Sequence, residues 1–147
     1  MLHIKPLSQS SYKEWVALWK HYLAFYHADF NAQQAEQTWA RLSGQEFPHM
    51  YGFVAYLDHE AVGIVHVIEH ESCWTSQPYA YLQDLYTDKK HRGQGIARQL
   101  IECVYQTAVQ RQCDRVYWLT QENNEPARKL YDKVAQQTGF IQYKKSL

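Results

Sequence analysis

Residues Tyr81 to Leu100 read YLQDLYTDKKHRGQGIARQL, and the way this stretch folds decides how the rest of the chain is arranged. Leu82 to Thr87 has the branched and aromatic content of a strand, which the charged run Asp88 to Arg92 breaks. Gly93 and Gly95 follow, spaced so that the backbone can turn tightly and approach a ligand with no Cβ in the way. Ile96, Leu100, Cys103, Val104 and Thr107 then recur at helical spacing, which predicts a helix from near Gln94 to Gln110–Gln112. The first amides of such a helix have no intrahelical acceptor and point at whatever approaches its N-terminus. Gly93, Gln94, Gly95, Ile96 and Ala97 therefore form a candidate cradle for a phosphate or pyrophosphate, with Lys89, Lys90 and Arg92 beside it. A solvated basic turn is the other reading of the same residues. Two specific cradles are excluded: no Gly-Lys-Ser or Gly-Lys-Thr ending is present, and Arg98 stands where the last glycine of G-x-G-x-x-G belongs.

Around this unit the chain has 147 residues, enough for one domain, 1–147, with a full core and little room for a second. Fifteen basic residues balance fifteen acidic ones, which gives no long-range attraction toward nucleic acid or a membrane surface. The aromatics sit in periodic stripes suited to packing, with no basic stripe among them, so a nucleic-acid partner is not expected. No apolar run approaches a membrane span and Met1 to Lys5 do not open a signal peptide, so a cytoplasmic location is expected. Cys73, Cys103 and Cys113 share no metal or redox spacing.

Before the central stretch, Leu2 to Pro6 reads as a strand and Ser8, Ser10 or Ser11 as the cap of a helix. Trp15, Leu18, Trp19, Tyr22, Leu23 and Tyr26 give that helix one aromatic stripe. Asn31 caps a second helix to about Leu42. Tyr51 to Leu57 and Ala61 to Glu71 form a hairpin closed by Asp58 to Glu60, and Ser72 to Pro78 is a loop. Beyond the central helix, Arg115 to Thr120 reads as a strand parallel to the central one, since a right-handed β-α-β crossover joins them. A helix over Asn123 to Gln137 and a strand over Phe140 to Lys144 complete the expected order.

His66-Val67-Ile68-Glu69-His70 spells H-x-x-E-H, a zinc-hydrolase pattern on a helix. On a strand, residues four apart stand about 13 Å from each other and Glu69 faces away from both histidines, so no metal site is expected. Glu69 and Asp84 remain candidates for holding a cationic amine or taking its proton. Asp84 lies among Leu82, Leu85 and Tyr86, where a carboxylate must be hydrogen-bonded or line a polar opening.

Arg92-Gly93-Gln94-Gly95-Ile96-Ala97 resembles the Arg/Gln-x-x-Gly-x-Gly/Ala signature of the GCN5-related N-acetyltransferase (GNAT) superfamily. Asn124-Glu125-Pro126-Ala127-Arg128-Lys129-Leu130-Tyr131 is similar to that family's later helix, and Gly139-Phe140 to the pair that opens its last hairpin. Leu82-Gln83-Asp84 resembles the Leu-Glu-Asp of diamine acetyltransferases, although Gln83 cannot act as a base. The long ending after Tyr131 looks like the branch with the yeast histone and polyamine acetyltransferases.

The resemblance implies an α/β fold: a central mixed, twisted sheet flanked by helices, whose two parallel central strands splay. It implies acetyl-CoA as acyl donor, with its pyrophosphate on Arg92 to Ala97 and its pantetheine arm along Leu85, Tyr86 and Thr87. Asn124 and Arg128 are expected to support the cofactor, and an amide near Leu85 or Tyr86 to polarise the carbonyl. Tyr131 is implied as general acid at sulfur, with Asp84, Glu69 or an ordered water chain taking the place of the missing glutamate as base. Phe25 to Asn31 is expected to border the acceptor. The expected reaction is direct acetylation of a primary amine, either a polyamine-like small molecule or a lysine side chain, by an enzyme able to homodimerise. Transfer of another acyl group, an oxygen acceptor, or CoA binding without catalysis are the competing readings.

Overall fold

A computed structural model describes residues Met1–Leu147. The central stretch forms strand β4, Tyr79–Thr87, a 3-10 turn over Lys89–His91, and helix α3, Ile96–Gln110. Ahead of it come β1 (Leu2–Pro6), α1 (Tyr12–Phe25), α2 (Ala32–Ser43), β2 (Met50–Leu57) and β3 (Glu60–His70), and after it β5 (Arg115–Tyr117) and α4 (Glu125–Val134). The five strands make one sheet in the order β1-β2-β3-β4-β5, antiparallel except for the parallel pair β4 and β5. This is the mixed α/β sheet flanked by helices that the motifs imply.

Alternation along the strands separates two cores. Val65, Val67, Ala80 and Leu82 meet Ile96, Leu100 and Val104 of α3 on one face. Val54, Ile64 and Tyr86 meet Trp15 and Leu18 of α1 and Ala35 and Leu42 of α2 on the other. Trp15 is wholly buried, and a side chain of its size is a principal source of apolar stabilisation here. The start of α1 is fixed by a capping box. Ser11 Oγ accepts from the Glu14 amide, and Glu14 accepts in turn from the Ser11 amide.

Two irregularities open the sheet at its centre. In the β3–β4 register His66 pairs with Asp84 and Val67 with Leu82, so Gln83 is left over as a bulge. A bulge bends its strand and raises the local twist. On the other side, pairing of β4 with β5 stops at Tyr81 and Tyr117. From Leu82 to Thr87 that edge of β4 has no neighbouring strand, which is the expected splay.

Several expected boundaries move. Helix α3 starts at Ile96 because Gly95 takes the left-handed conformation and acts as its N-cap. Strand β5 ends at Tyr117 where β4 bends away, instead of reaching Thr120, and α4 ends at Val134. The strand expected over Phe140 to Lys144 is not formed. Its alternation has no long edge to pair with in one chain, since β5 offers three residues, and Phe140, Ile141 and Tyr143 are left exposed.

Candidate active site

Between β4 and α3 the backbone is shaped as an anion cradle. Asp88 accepts from the Lys90 amide at 2.9 Å and holds the 3-10 turn. Gly93 and Gly95 then adopt φ of +78° and +80°, which side-chain-bearing residues rarely reach, and a Cβ at either would project into open space. The first backbone bond of the helix runs from the Gln99 amide to the Gly95 carbonyl at 3.0 Å. No amide from Arg92 to Arg98 donates to a protein acceptor. Gln94, Gly95, Ile96 and Ala97 thus present free donors at the positive end of the α3 dipole.

Arg92 is built into the rim of this cradle. Its Nε donates to the Thr87 carbonyl at 3.2 Å, and its guanidinium lies over Phe25 and Tyr86, 5.4 Å and 5.8 Å from the ring centres. The neighbouring Thr87 Oγ1 is buried and has no protein partner. An unsatisfied buried hydroxyl beside a row of unused amides fits a polar ligand such as the pyrophosphate and pantetheine arm of acetyl-CoA. Leu85 and Tyr86 lie on the unpaired reach of β4 that continues from this cradle.

Deeper along β4, Asp84 faces the α1 side. Its Oδ2 lies 2.9 Å from His66 Nδ1, and the Trp15 indole N–H donates to His66 Nε2 at 2.9 Å. An indole nitrogen only donates, so Nε2 is an acceptor, the proton sits on Nδ1, and the imidazole is neutral. Asp84, with its side chain 14 % exposed, therefore has no cationic partner in the protein. Three tyrosines surround it. Burial, and then the Asp84 charge, push the hydroxyls of Tyr22, Tyr26 and Tyr81 upward.

Tyr131 of α4 closes the same opening. Its ring meets Trp118 edge-on at 5.4 Å. Burial, and then proximity to Tyr26, push its hydroxyl up to about 12. Tyr26 is close enough to feel Asp84 and to act on Tyr131, and it falls in the Phe25 to Asn31 segment expected to border the acceptor.

Other expected site residues lie elsewhere. Glu69 is on the α3 face of β3, opposite His66, beside the closed end of the β4–β5 pair. There it receives Arg111 Nε at 2.6 Å, Arg111 Nη2 at 3.0 Å and the Tyr51 hydroxyl at 2.9 Å. The H-x-x-E-H string is accordingly split between the two faces, with His66 tied to Asp84 and His70 to the Tyr117 hydroxyl at 2.7 Å. Arg128 braces the turn before α4 by donating to the Glu122 carbonyl at 2.7 Å and to Gln137 at 3.3 Å, away from the phosphate cradle. Asn124 is the N-cap residue of α4, but its side chain makes no capping bond. Cys113 is pushed up to about 11 by burial, and then by Glu69, which makes its thiol unreactive.

Sequence reasoning missed Trp15, Tyr22 and His66 as site residues. Their only signal was that α1's aromatic stripe and the His66 side of β3 share one face, which requires the β3–β4 register to see.

The chain belongs to the acetyltransferase (GNAT) family, whose model matches residues 13–135. It is an acetyl-CoA-dependent N-acetyltransferase. It is 31% identical over 145 residues to a D-amino-acid N-acetyltransferase of Saccharomyces cerevisiae, a match covering 97% of this chain and 89% of that one. It is 37% identical over 87 residues to a streptothricin acetyltransferase of Escherichia coli, covering 59% of this chain and 47% of that one. Among solved structures, an aminoglycoside acetyltransferase from an uncultured soil metagenomic sample, in complex with sisomicin, aligns with a TM-score of 0.83 at 22% identity over 99% of this chain and 96% of that one. No helix is long and apolar enough to cross a membrane.

Proposed function

We propose that this enzyme acetylates small cationic amines of the polyamine type, with Asp84 binding the ammonium and taking its proton. One observation carries the reading: a largely buried carboxylate without a cationic partner, ringed by tyrosines. An isolated buried charge is costly, and an ammonium ion satisfies it by ion pairing while the faces of Tyr22, Tyr26 and Tyr81 add cation–π attraction.

Acetyl-CoA supplies an activated thioester carbonyl, and the chain's own groups do the rest. The free amides of Gln94 to Ala97, with Arg92 and the orphan Thr87 hydroxyl, hold the donor, and the one amide of Leu85 or Tyr86 that faces the open edge of β4 polarises the carbonyl oxygen. Asp84 accepts a proton from the ammonium, directly or through water, which frees the nitrogen lone pair to form the N–C bond as the C–S bond breaks. Tyr131 donates a hydrogen bond to the departing sulfur. With its hydroxyl pushed up to about 12, against about 8.5 for an ordinary thiol, it keeps its own proton and serves as a donor through the whole working range.

The test is thiol release from acetyl-CoA with polyamines, D-amino acids, aminoglycosides and a lysine peptide, for the wild type and Asp84→Asn. Polyamine turnover lost in Asp84→Asn supports the proposal. Turnover confined to amino acids bearing a carboxylate beside the amine refutes the substrate choice.

A homodimer belongs to the same proposal. It is supported by the exposed Phe140, Ile141 and Tyr143 and by the outer edge of β5, which a second copy's tail can extend. Light scattering on the full chain and on a chain ending at Gln137 tests it, and two monomers would refute it.

A further inference from the structure

Two buried groups that the chemistry above leaves unused, Trp15 and His66, lead in one line to Asp84. Trp15 of α1, His66 of β3 and Asp84 of β4 are joined by two hydrogen bonds of 2.9 Å each, with His66 2 % exposed. A histidine placed there for packing alone could be any flat side chain. Here both ring nitrogens are committed, each to a partner that fixes its role. The Trp15 N–H forces Nε2 to accept, which forces Nδ1 to donate, and the only acceptor within reach of Nδ1 is Asp84 Oδ2. Trp19 stacks obliquely on the imidazole at 5.3 Å between ring centres and restricts its rotation.

We propose that His66, with its tautomer set by Trp15, is a positioning residue that holds the Asp84 carboxylate in the orientation that receives the amine. It rests on the reading of Asp84 given above. His66 touches neither substrate. One oxygen of Asp84 is occupied by a fixed N–H donor and the other is left for the ammonium. A carboxylate without this donor is free to rotate before the amine arrives. The titratable groups facing Asp84 are Tyr22 and Tyr26 from α1, Tyr81 from β4 and His66 from β3, and no lysine or arginine pairs with it. The Tyr22 hydroxyl also reaches Asp84, but the His66 N–H, fixed by Trp15 behind it, is the donor whose direction the fold sets.

The test compares His66→Phe, His66→Gln, Trp15→Phe and Asp84→Asn in the full-length protein with the best amine from the panel. Each variant's melting temperature is recorded alongside. A positioned base supplies at least roughly 10²-fold, so losing its orienting group is expected to lower kcat for His66→Phe by about tenfold or more. The KM for acetyl-CoA stays within about twofold, because the cradle is untouched. His66→Gln recovers much of the loss, since its amide can donate to Asp84 and accept from Trp15.

Nitrogen NMR of the wild type at neutral pH is expected to show His66 as the Nδ1–H tautomer, and Trp15→Phe to give a mixture. Full activity in a folded His66→Phe while Asp84→Asn is inactive overturns the role of His66 and leaves Asp84 standing. Full activity in both overturns the reading of Asp84 itself. An Nε2–H tautomer or a doubly protonated ring in the wild type overturns the relay even if no variant folds.

Discussion

Replacing Glu69 by glutamine separates the two carboxylates that the sequence leaves as alternative bases. The Glu69 side chain is 9 % exposed and that of its partner Arg111 is 40 % exposed. A buried pair loses about 3–5 kcal/mol when one partner is removed. An exposed pair is worth less than about 1 kcal/mol. One buried and one half-exposed member, with the Tyr51 hydroxyl keeping an acceptor in the variant, place Glu69→Gln near 2 kcal/mol. For a chain of this size that corresponds to a fall in Tm of about 4–8 °C. Thermal unfolding reads the fall, and thiol release on the same sample reads kcat, which is expected to stay near the wild-type value. A Tm that does not move while kcat drops by tenfold or more would show that Glu69 does proton chemistry, and the separation of the two faces would have been misread.

Two further outcomes test the cradle and the sulfur side. Gly95→Ala forces a Cβ into a conformation that costs roughly 1–2 kcal/mol. Calorimetry is expected to find weaker acetyl-CoA binding as well; an unchanged affinity in a destabilised protein would detach the turn from the ligand. Tyr131→Phe keeps the contact with Trp118 and removes one donor, so kcat is expected to fall by roughly 10²-fold with little change in KM. Tyr131 titrates near 12 in the fold against 10 when unfolded, so its stabilising contribution is present below about pH 10 and is lost as pH rises through 12. Tm should therefore decline less steeply over that window in Tyr131→Phe, and equal slopes would contradict the burial of its hydroxyl.

Much of this was legible from residues alone because the signals were local. Gly93 and Gly95 fixed the cradle, the Trp15 to Tyr26 stripe fixed α1, and the alternation around Ile64 identified β3 as a strand and disqualified H-x-x-E-H as a helix motif. What stayed hidden depends on register, which pattern does not encode. Gln83 as the unpaired residue, His66 opposite Asp84 and Glu69 beside Arg111 all follow from how two strands slide against each other. The partners of Arg128 were hidden for a related reason: its reach back to the Glu122 carbonyl depends on how the turn before α4 folds. The tail from Phe140 carries the alternation of a strand, and alternation says nothing about whether an edge exists to receive it.

The surplus residue at position 83 carries a consequence for any attempt to tidy this protein. Deleting it would let β3 and β4 lace without interruption, and a regular ladder is the more stable object. Yet, although Val67 would still face Leu82 and His66 would still face Asp84, the bend and added twist that the bulge gives β4 where it parts from β5 would be lost, and the opening with them. Such a shortened chain could melt later than its parent and still turn over nothing, so a screen that rewards heat resistance alone would select against the enzyme.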